Sequence, residues 1–358
     1  MATGYMTELN PIASRFVDDI LIHARSRGGN GYAVTLRMAR QVVRLRFSSD
    51  SLRSLFLPAF EHVCVGGDVE PDLHLHIIEG EPFPAPAWPA EAYRSCGEVI
   101  GFADDTTYLH VDIPLAALSV LNLNRGEGAY WVRSAAAVPS YERSAPFRAL
   151  LHRWLMRHGM PLAHVGAVAS GSNGALIMGA KGAGKSTTSL ACLAAGMDFL
   201  ADDRCALDCS TPEPMAWSVY STAKVFAGEA GRFGILDLAE KGILPAMAGD
   251  EKMLAFMPQI AARQVRLQAP IRCIIEPKPL ANRHSRFVAL PAGQAARTLT
   301  SDLIGRSPAT ALPALVTIAK LCRTVPCYQL EASRDLREVA SSIRELLDRG
   351  GMLPHSPR

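Results

Sequence analysis

The glycine-rich run from Gly179 to Ser186 constrains the fold of this chain more than any other part of the sequence. It reads Gly-Ala-Lys-Gly-Ala-Gly-Lys-Ser and fits the pattern G-x-x-x-x-G-K-[ST]. The apolar run Ala175–Met178 before it predicts a strand, and Lys185–Ala195 after it predicts a helix. A strand, a glycine-rich turn and a helix in this order predict a phosphate-binding loop in an α/β fold.

The residue types in this run suit a nucleotide phosphate. The three glycines let the backbone approach a phosphate closely, and the N–H groups together with the positive end of the new helix attract its charge. Lys185 is expected to neutralise the β- and γ-phosphates, and Ser186 offers a hydroxyl to Mg²⁺. The predicted ATP contacts are Gly179, Ala180, Lys181, Gly182, Ala183, Gly184, Lys185, Ser186 and Thr187. The alternative is a glycine-rich turn without a nucleotide.

Two adjacent carboxylates follow the next predicted strand. Asp202 and Asp203 come directly after the short apolar stretch Asp198–Ala201. Carboxylates at the end of a strand beside a phosphate loop can hold Mg²⁺ or accept the proton of an acceptor hydroxyl. His164 lies upstream, on the predicted strand Ala163–Ala169 that leads toward the loop. Taken alone, the aspartates fit a polar turn and the histidine fits a structural role.

Together these features resemble a known family. Part of this sequence is similar to the catalytic core of HPr kinase/phosphorylase. That part consists of His164, the run Gly179-Ala-Lys-Gly-Ala-Gly-Lys-Ser-Thr187, and the run Ala201-Asp202-Asp203-Arg204. The resemblance implies an α/β P-loop kinase core similar to phosphoenolpyruvate carboxykinase, and an enzyme that phosphorylates a serine hydroxyl on a protein. The chain departs from the family at Thr187, where the family usually has Glu. That departure bears on metal binding and on the reverse, phosphorolytic activity.

The resemblance also implies a role for each matching residue. Asp202 would accept the serine proton, and Asp203 and Ser186 would hold or orient Mg²⁺. His164 would sit close to the transferred phosphate, while Lys185 and the loop amides would hold ATP. The sequence leaves open which of the two aspartates is the base and which is the metal ligand.

A second, looser resemblance concerns the acceptor. Tyr220–Phe226 and Asp250–Lys252 look like segments of HPr-kinase-related proteins found with ribosomal-peptide biosynthesis, including kinases that act on lasso-peptide precursors. Lys224 and Lys252 are therefore predicted phosphate or acceptor contacts, with solvated surface lysines as the alternative. Arg204 is expected to contact phosphate or to pair with an acidic neighbour.

The pattern along the chain predicts two domains in its 358 residues. Residues 1–143 alternate as strands and predict a β-rich α+β domain, which either recognises a peptide or covers the catalytic core. Residues 144–358 alternate strands with helices and predict the α/β kinase domain. We place the boundary there because Ser144 and Pro146 have the pattern of a helix start.

The amino-acid composition limits which cellular environment and which binding partners we expect for this protein. The 37 basic and 34 acidic residues nearly balance, which argues against a nucleic-acid-binding protein. The amino-terminal stretch lacks a signal-peptide pattern, and no apolar run is long enough to span a membrane. The eight cysteines form no CxxC pair and indicate reduced thiols. His74 and His76 share a strand face, and without a third ligand nearby they favour a half-exposed surface over a metal pair.

These observations predict a cytoplasmic, ATP- and Mg²⁺-dependent serine kinase that acts on a peptide or protein, most plausibly a ribosomal precursor peptide. We expect no nucleic acid or membrane partner, and the family resemblance implies a homo-oligomer. A kinase for a small hydroxylated metabolite is one alternative. A nucleotide-sensing protein that binds ATP without turnover is the other.

Overall fold

The computed structural model describes residues 2–27, 32–81, 92–94, 97–226, 243–244, 252–280, 284–301 and 308–354. Its internal contacts divide the chain into two compact units. The first consists of residues 1–158 and 303–313, and the second of residues 159–302 and 314–358. The division at 158/159 lies downstream of the expected 143/144 boundary. The roles of the two predicted domains stay predictions.

The first unit is built on a mixed sheet of seven described strands, in the order β1-β2-β3-β7-β6-β5-β4. The strands are β1 (Ala33–Met38), β2 (Gln41–Phe47), β3 (Leu73–Glu79), β4 (Glu98–Ala103), β5 (Thr107–Asp112), β6 (Ala117–Asn122) and β7 (Glu127–Val132). The helices are α1 (Ala2–Arg27), α2 (Asp50–Phe56), α3 (Ser140–Ser144) and α4 (Arg148–Arg157). Nowhere in the described parts of the chain is a helix both long and apolar enough to cross a membrane.

The alternation of apolar and polar residues along the strands explains which side chains of this sheet are buried. Val43, Leu45 and Phe47 of β2 are buried on one face, and β2 pairs with β1 in the antiparallel direction. The half-exposed strand face predicted for His74 and His76 is wrong for His76, which is buried. Nε2 of His76 lies 3.3 Å from Oε1 of Glu127, a carboxylate that also binds Arg25. The sequence pattern did not show this because Glu127 lies on β7, far along the chain.

The helix start predicted at Ser144 and Pro146 is wrong. Helix α3 ends at Ser144, and α4 begins only at Arg148. Phe147 lies between them in the left-handed region, with φ of 55°, and its N–H donates to the buried carboxylate of Glu142 at 2.9 Å. This hydrogen bond holds a backbone conformation that a side chain as large as Phe rarely adopts, so the sequence pattern alone does not reveal it.

The second unit contains a larger mixed sheet. Nine described strands form it, in the order β11-β9-β10-β17-β13-β12-β8, with β19 beside β17 and β18 beside β19. Its strands are β8 (Leu162–Ala163), β9 (Gly166–Ser170), β10 (Asn173–Ile177), β11 (Asp198–Ala201), β12 (Cys205–Asp208), β13 (Met215–Ser218), β17 (Gln268–Pro279), β18 (Arg286–Ala289) and β19 (Cys327–Ala332).

A smaller sheet and several helices complete the second unit. The small sheet has the order β14-β16-β15, with β14 (Thr222–Phe226), β15 (Ile243–Leu244) and β16 (Lys252–Phe256). The helices are α5 (Lys185–Ala194), α6 (Met257–Ile260), α7 (Ala292–Thr300), α8 (Pro308–Thr324) and α9 (Leu336–Asp348). The contact division assigns the first residues of α8 to the first unit.

The strand predicted over Ala163–Ala169 is two strands, and His164 lies in the bend between them. β8 pairs with β12, whereas β9 pairs with β10 and β11, so the chain changes its position in the sheet at this bend. The prediction of one strand was wrong because an apolar run does not show that its two halves have different partners.

Strand direction brings the predicted site together. β9 is antiparallel to both β10 and β11, so the carboxyl ends of β10 and β11 lie at the same edge as the amino end of β9. The glycine-rich loop follows β10, the aspartate pair follows β11, and His164 precedes β9. All three predicted features therefore meet at one edge of the sheet.

Gly174 allows β10 to approach its neighbour β17 closely. A Cβ atom at this position would lie 2.8 Å from the carbonyl oxygen of Pro270. We predict that Gly174→Ala lowers the free energy of unfolding by about 1–3 kcal/mol, since the backbone of β17 must shift. Gly293→Ala on α7 is the matched control, because a Cβ there meets nothing within 4 Å. Urea denaturation measures both, and equal stability of the two variants contradicts this packing account.

Candidate functional site

The loop after β10 has the backbone shape that its glycines predict. Gly179, Gly182 and Gly184 have φ values of 143°, 86° and 94°, a region that side chains disfavour. A Cβ at Gly179 would lie 2.7 Å from the Cβ of Ala183, while one at Gly182 would meet nothing within 4 Å. Helix α5 begins immediately after the loop, at Lys185. The loop thus wraps tightly on itself and is open beside Gly182, where a ligand can approach.

Lys185 is buried and turns back over the loop. Its Nζ donates to the carbonyl oxygens of Gly179 at 2.7 Å and of Ala180 at 3.3 Å. The ammonium group is therefore held within the loop rather than in solvent. A cation fixed there attracts an anion to the same concave surface as the loop N–H groups.

Asp202 is a buried carboxylate, and its two oxygens differ in their hydrogen bonding. Its Oδ2 accepts from the backbone N–H of Lys224 at 3.2 Å, and the nearby hydroxyl of Ser186 favours the ionised carboxylate and lowers its pKa. Its Oδ1 has no hydrogen-bond partner among the described residues. Burial raises the pKa of Asp202 and outweighs the hydrogen bonds that lower it; the charge of Asp203 raises it further. A buried, unpartnered oxygen with a raised affinity for protons is suited to a ligand, a cation or a transferred proton.

Asp203 has the opposite electrostatic environment. Its Oδ1 lies 2.9 Å from Nε2 of His164, and its Oδ2 lies 4.0 Å from Nε of Arg204. Burial opposes ionisation of Asp203, but the His164 hydrogen bond and the charges of Arg204 and Lys224 outweigh it. The pKa of Asp203 is therefore held well below its usual range. Asp203 is the permanent anion of this pair.

The two lysines predicted downstream also reach the site. Lys224 on β14 provides the N–H that binds Asp202, and its charge acts on Asp203. Lys252 on β16 lowers the pKa of Asp202, and its Nζ lies 4.4 Å from the centre of the Phe226 ring. The residues Asp250 and Glu251 of the same predicted segment lie outside the described residues. The structure thus brings His164, the loop, Arg204 and both lysines together with the aspartates.

Glu276 is a neighbour of the loop that sequence reasoning missed. It lies on β17, and its Cγ is 3.9 Å from where a Cβ of Gly179 would be. The hydroxyl of Thr298 on α7 donates to its Oε1 at 3.3 Å. The signal was an acidic residue after the apolar run Ile271–Ile275, which repeats the pattern of the aspartate pair. The local pattern does not show that β17 continues to Pro279 and pairs in parallel with β10, which is what brings Glu276 beside the loop.

The available oxygens are of the kind that could hold a hard cation such as Mg²⁺. Ser186, Asp203 and the unpartnered oxygen of Asp202 are hard donors of the kind that Mg²⁺ prefers. Within the described part of the chain, no group of three or more His, Cys, Asp or Glu side chains could hold a metal by itself. This agrees with the usual magnesium site, in which one or two carboxylates and the substrate phosphates share the ion.

Comparisons with known proteins find a distant likeness among solved structures. No family model matches the chain, and no curated protein matches it. Among solved structures, the HPr(Ser) kinase/phosphatase from Coxiella burnetii aligns with 14% sequence identity and a TM-score of 0.29. The alignment covers 52% of this chain and 87% of that chain. At this TM-score the alignment does not define the fold, which is described here as α/β with several mixed sheets.

The two aspartates are expected to affect stability in opposite directions. At pH 7 we predict that Asp203→Asn lowers the free energy of unfolding by about 1–3 kcal/mol, because it removes a favourably paired anion. Asp202→Asn should raise it by about 0.5–2 kcal/mol, because it relieves a buried charge. The pKa of Asp203 is depressed by folding, so its contribution is present above the unfolded pKa and is lost as the pH falls. The pKa of Asp202 is raised, so its cost is present at neutral pH and is absent in acid.

Urea denaturation of both variants between pH 7 and pH 4 measures these differences. The difference between Asp202→Asn and the parent protein should shrink toward about pH 4, where an ordinary aspartate becomes protonated, whereas the difference for Asp203→Asn should persist at pH 4 because the folded pKa of Asp203 lies well below that range. A change of the same sign for both variants at pH 7 contradicts the opposite environments of the two carboxylates.

Proposed function

We propose that this chain is an ATP- and Mg²⁺-dependent kinase that transfers the γ-phosphate of ATP to a serine hydroxyl of a peptide or protein. The observation that carries the proposal is the unpartnered Oδ1 of Asp202. This oxygen is buried at the sheet edge that also carries the glycine-rich loop, and Ser186 at the start of α5 is close enough to lower the pKa of the same carboxylate. A proton acceptor beside a phosphate-binding loop is what phosphoryl transfer to a hydroxyl requires.

The chemistry follows from the positions of the side chains. The loop N–H groups and Lys185 bind the β- and γ-phosphates of ATP. As the serine oxygen forms its bond to the γ-phosphorus, its proton passes to Asp202, and the bond from the γ-phosphorus to the β–γ bridging oxygen breaks to release ADP. Burial raises the pKa of Asp202 and makes it a better proton acceptor than an exposed aspartate. When bound, Mg²⁺ supplies neutralisation of phosphate charge, and Ser186 and Asp203 are the residues that would hold it.

Asp203 and His164 support this division of roles. Because Asp203 stays ionised through its contacts with His164 and Arg204, it keeps a negative charge available to a cation while Asp202 exchanges a proton. In turn, the hydrogen bond to Asp203 fixes the ring of His164 at the same edge of the sheet. We therefore propose Asp202 as the base and Asp203 as the metal-holding residue, with His164 close to the transferred phosphate.

The acceptor we propose is a ribosomal precursor peptide of the lasso type. Its support is the similarity of Tyr220–Phe226 to proteins of ribosomal-peptide biosynthesis, together with the position of Lys224 beside the aspartates. A small hydroxylated metabolite is the competing acceptor for the same chemistry. The third candidate function is that of a sensor that binds ATP without turnover. The unpartnered oxygen of Asp202 favours phosphoryl transfer over this function.

Transfer should depend on Asp202 far more strongly than ATP binding does. We predict that Asp202→Asn lowers the transfer rate by at least about a hundredfold, the size of a general-base contribution, and changes the affinity for ATP by less than about threefold. The measurement is mass spectrometry of serine peptides encoded beside this gene, after incubation with the protein, ATP and Mg²⁺. Asp208→Asn is the matched control, because Asp208 is equally buried but lies at the end of β12 away from Asp202. There it accepts a hydrogen bond from the hydroxyl of Ser210. Equal losses of transfer and of ATP affinity contradict the base role.

ATP binding should depend on Lys185. We predict that Lys185→Ala weakens the affinity for ATP at least about tenfold, because a charge-assisted contact to phosphate is lost. Calorimetric titration measures the affinity. Lys320→Ala on α8 serves as the control, since this lysine instead donates to the carbonyl oxygen of Cys209. Unchanged affinity in Lys185→Ala would reject the phosphate-binding role of the loop.

A further inference from the structure

Strand β14 presents one edge to the aspartate pair. Among the described strands, β14 pairs with β16 alone, through Ala223↔Ala255 and Val225↔Met253 among other positions. The backbone N–H of Lys224 points the other way, to Oδ2 of Asp202. The edge of β14 that faces away from β16 is therefore the edge at which the proposed base lies.

The alternation of a β-strand identifies the groups on this edge. The N–H and the carbonyl of one residue point to the same side, and successive residues point to opposite sides. The carbonyl of Ser221 accepts from the N–H of Met257 beyond the end of β16, which assigns the odd-numbered residues to the β16 side. The carbonyl of Lys224 and the N–H of Phe226 thus point to the outer edge, beyond the hydrogen bond to Asp202.

Packing fixes this edge relative to the loop. Ala223 and Val225 are buried in one cluster with Leu190 and Leu193 of α5, the helix that begins at the glycine-rich loop. Their burial places Lys224 and Phe226 on the opposite face of β14. Lys224 is half-buried and Phe226 is 40% exposed there. The strand is anchored on the phosphate-binding helix and offers backbone groups and two contact side chains beside Asp202.

We propose that the acceptor is an extended polypeptide that adds as a strand along this outer edge of β14. One acceptor residue donates its N–H to the carbonyl of Lys224 and accepts from the N–H of Phe226, which is the pattern of a parallel strand. This pairing carries the serine to the unpartnered oxygen of Asp202. The inference rests on the proposed kinase function and adds to it how the acceptor is recognised, namely through its backbone.

Backbone recognition distinguishes this acceptor from a small metabolite. A metabolite has no repeating N–H and carbonyl groups to match a strand edge, whereas any extended peptide has them. Selectivity among peptides would then come from side chains that contact Lys224, Phe226 and Lys252. The two ammonium groups favour an acidic side chain near the serine, and the exposed Phe226 ring favours an apolar one.

The test is a scan of backbone N-methylation. A library of capped ten-residue peptides, each with one central serine, is first incubated with the full-length protein, ATP and Mg²⁺. In the best substrate, each N–H on both sides of the serine is then methylated in turn, and KM and kcat are measured for each analogue. Since N–H groups of a strand alternate in direction, we expect KM to rise about tenfold or more at alternate positions, with kcat changed less than about twofold.

Each outcome has a separate meaning. Transfer with an alternating KM pattern supports strand addition. Transfer that is insensitive to methylation, or equally sensitive at every position, overturns it and leaves the kinase function standing. No transfer to any peptide overturns the peptide-kinase function and, with it, this mode of recognition.

A variant of the protein provides an independent check. Phe226→Pro removes the outer N–H, while the ladder to β16 is formed by Ala223 and Val225 and is retained. It should raise KM for the best peptide about tenfold, whereas Phe226→Ala, which keeps the N–H, should raise it less. Thermal unfolding confirms that both variants fold. Equal KM values for the two variants would show that the N–H of Phe226 does not bind the acceptor.

Discussion

Two adjacent carboxylates with opposite electrostatic environments are the constraint on which the rest of the site depends. Asp202 and Asp203 are neighbours in the chain and follow the same strand. Asp202 is buried there, whereas Asp203 contacts His164 and Arg204. Burial favours the neutral form of the first, and His164 with Arg204 favours the charged form of the second. Like charges this close disfavour joint ionisation, so the hydrogen bond with His164 and the charge of Arg204 are what allow one permanent anion and one proton acceptor to coexist.

The sheet supplies the positions that this arrangement needs. Because β9 runs against β10 and β11, a residue before one strand and residues after two others reach a common edge. Close packing also contributes to this arrangement. Because Gly174 and Gly179 have no side chain, β10 and the loop that follows it can lie directly against neighbouring atoms. Helix α5 then links the glycine-rich loop to β14 through one buried cluster, so the loop and the lysine-bearing strand form a continuous packed unit.

The sequence predicts the elements with strong local signals. The loop glycines, α5 and β11 lie where the spacing of apolar residues and the turn chemistry predict them. Motif spacing also identified the residues that meet at the edge of the sheet. What it did not predict depends on partners far along the chain. The split between β8 and β9 arises from different neighbouring strands, and β7 is buried at every position, so it shows no alternation.

Two features of the structure, only the first of them at the candidate site, depend on contacts that local sequence patterns do not show. Glu276 approaches the loop only because β17 pairs in parallel with β10, a register set by tertiary packing. The strained Phe147 is held by a hydrogen bond to Glu142, which no propensity rule anticipates. In both cases the sequence shows an ordinary residue, and the fold gives it a particular contact.

The most direct measurement of this account is a carboxyl-carbon NMR titration of Asp202 and Asp203 in protein labelled at aspartate, with Asp202→Asn and Asp203→Asn used to assign the two signals. The account predicts that Asp203 remains ionised throughout the acid range in which the protein stays folded. It predicts that Asp202 takes up a proton at a higher pH than an ordinary aspartate. Two signals that titrate together in the ordinary aspartate range, or in the reverse order, would contradict it.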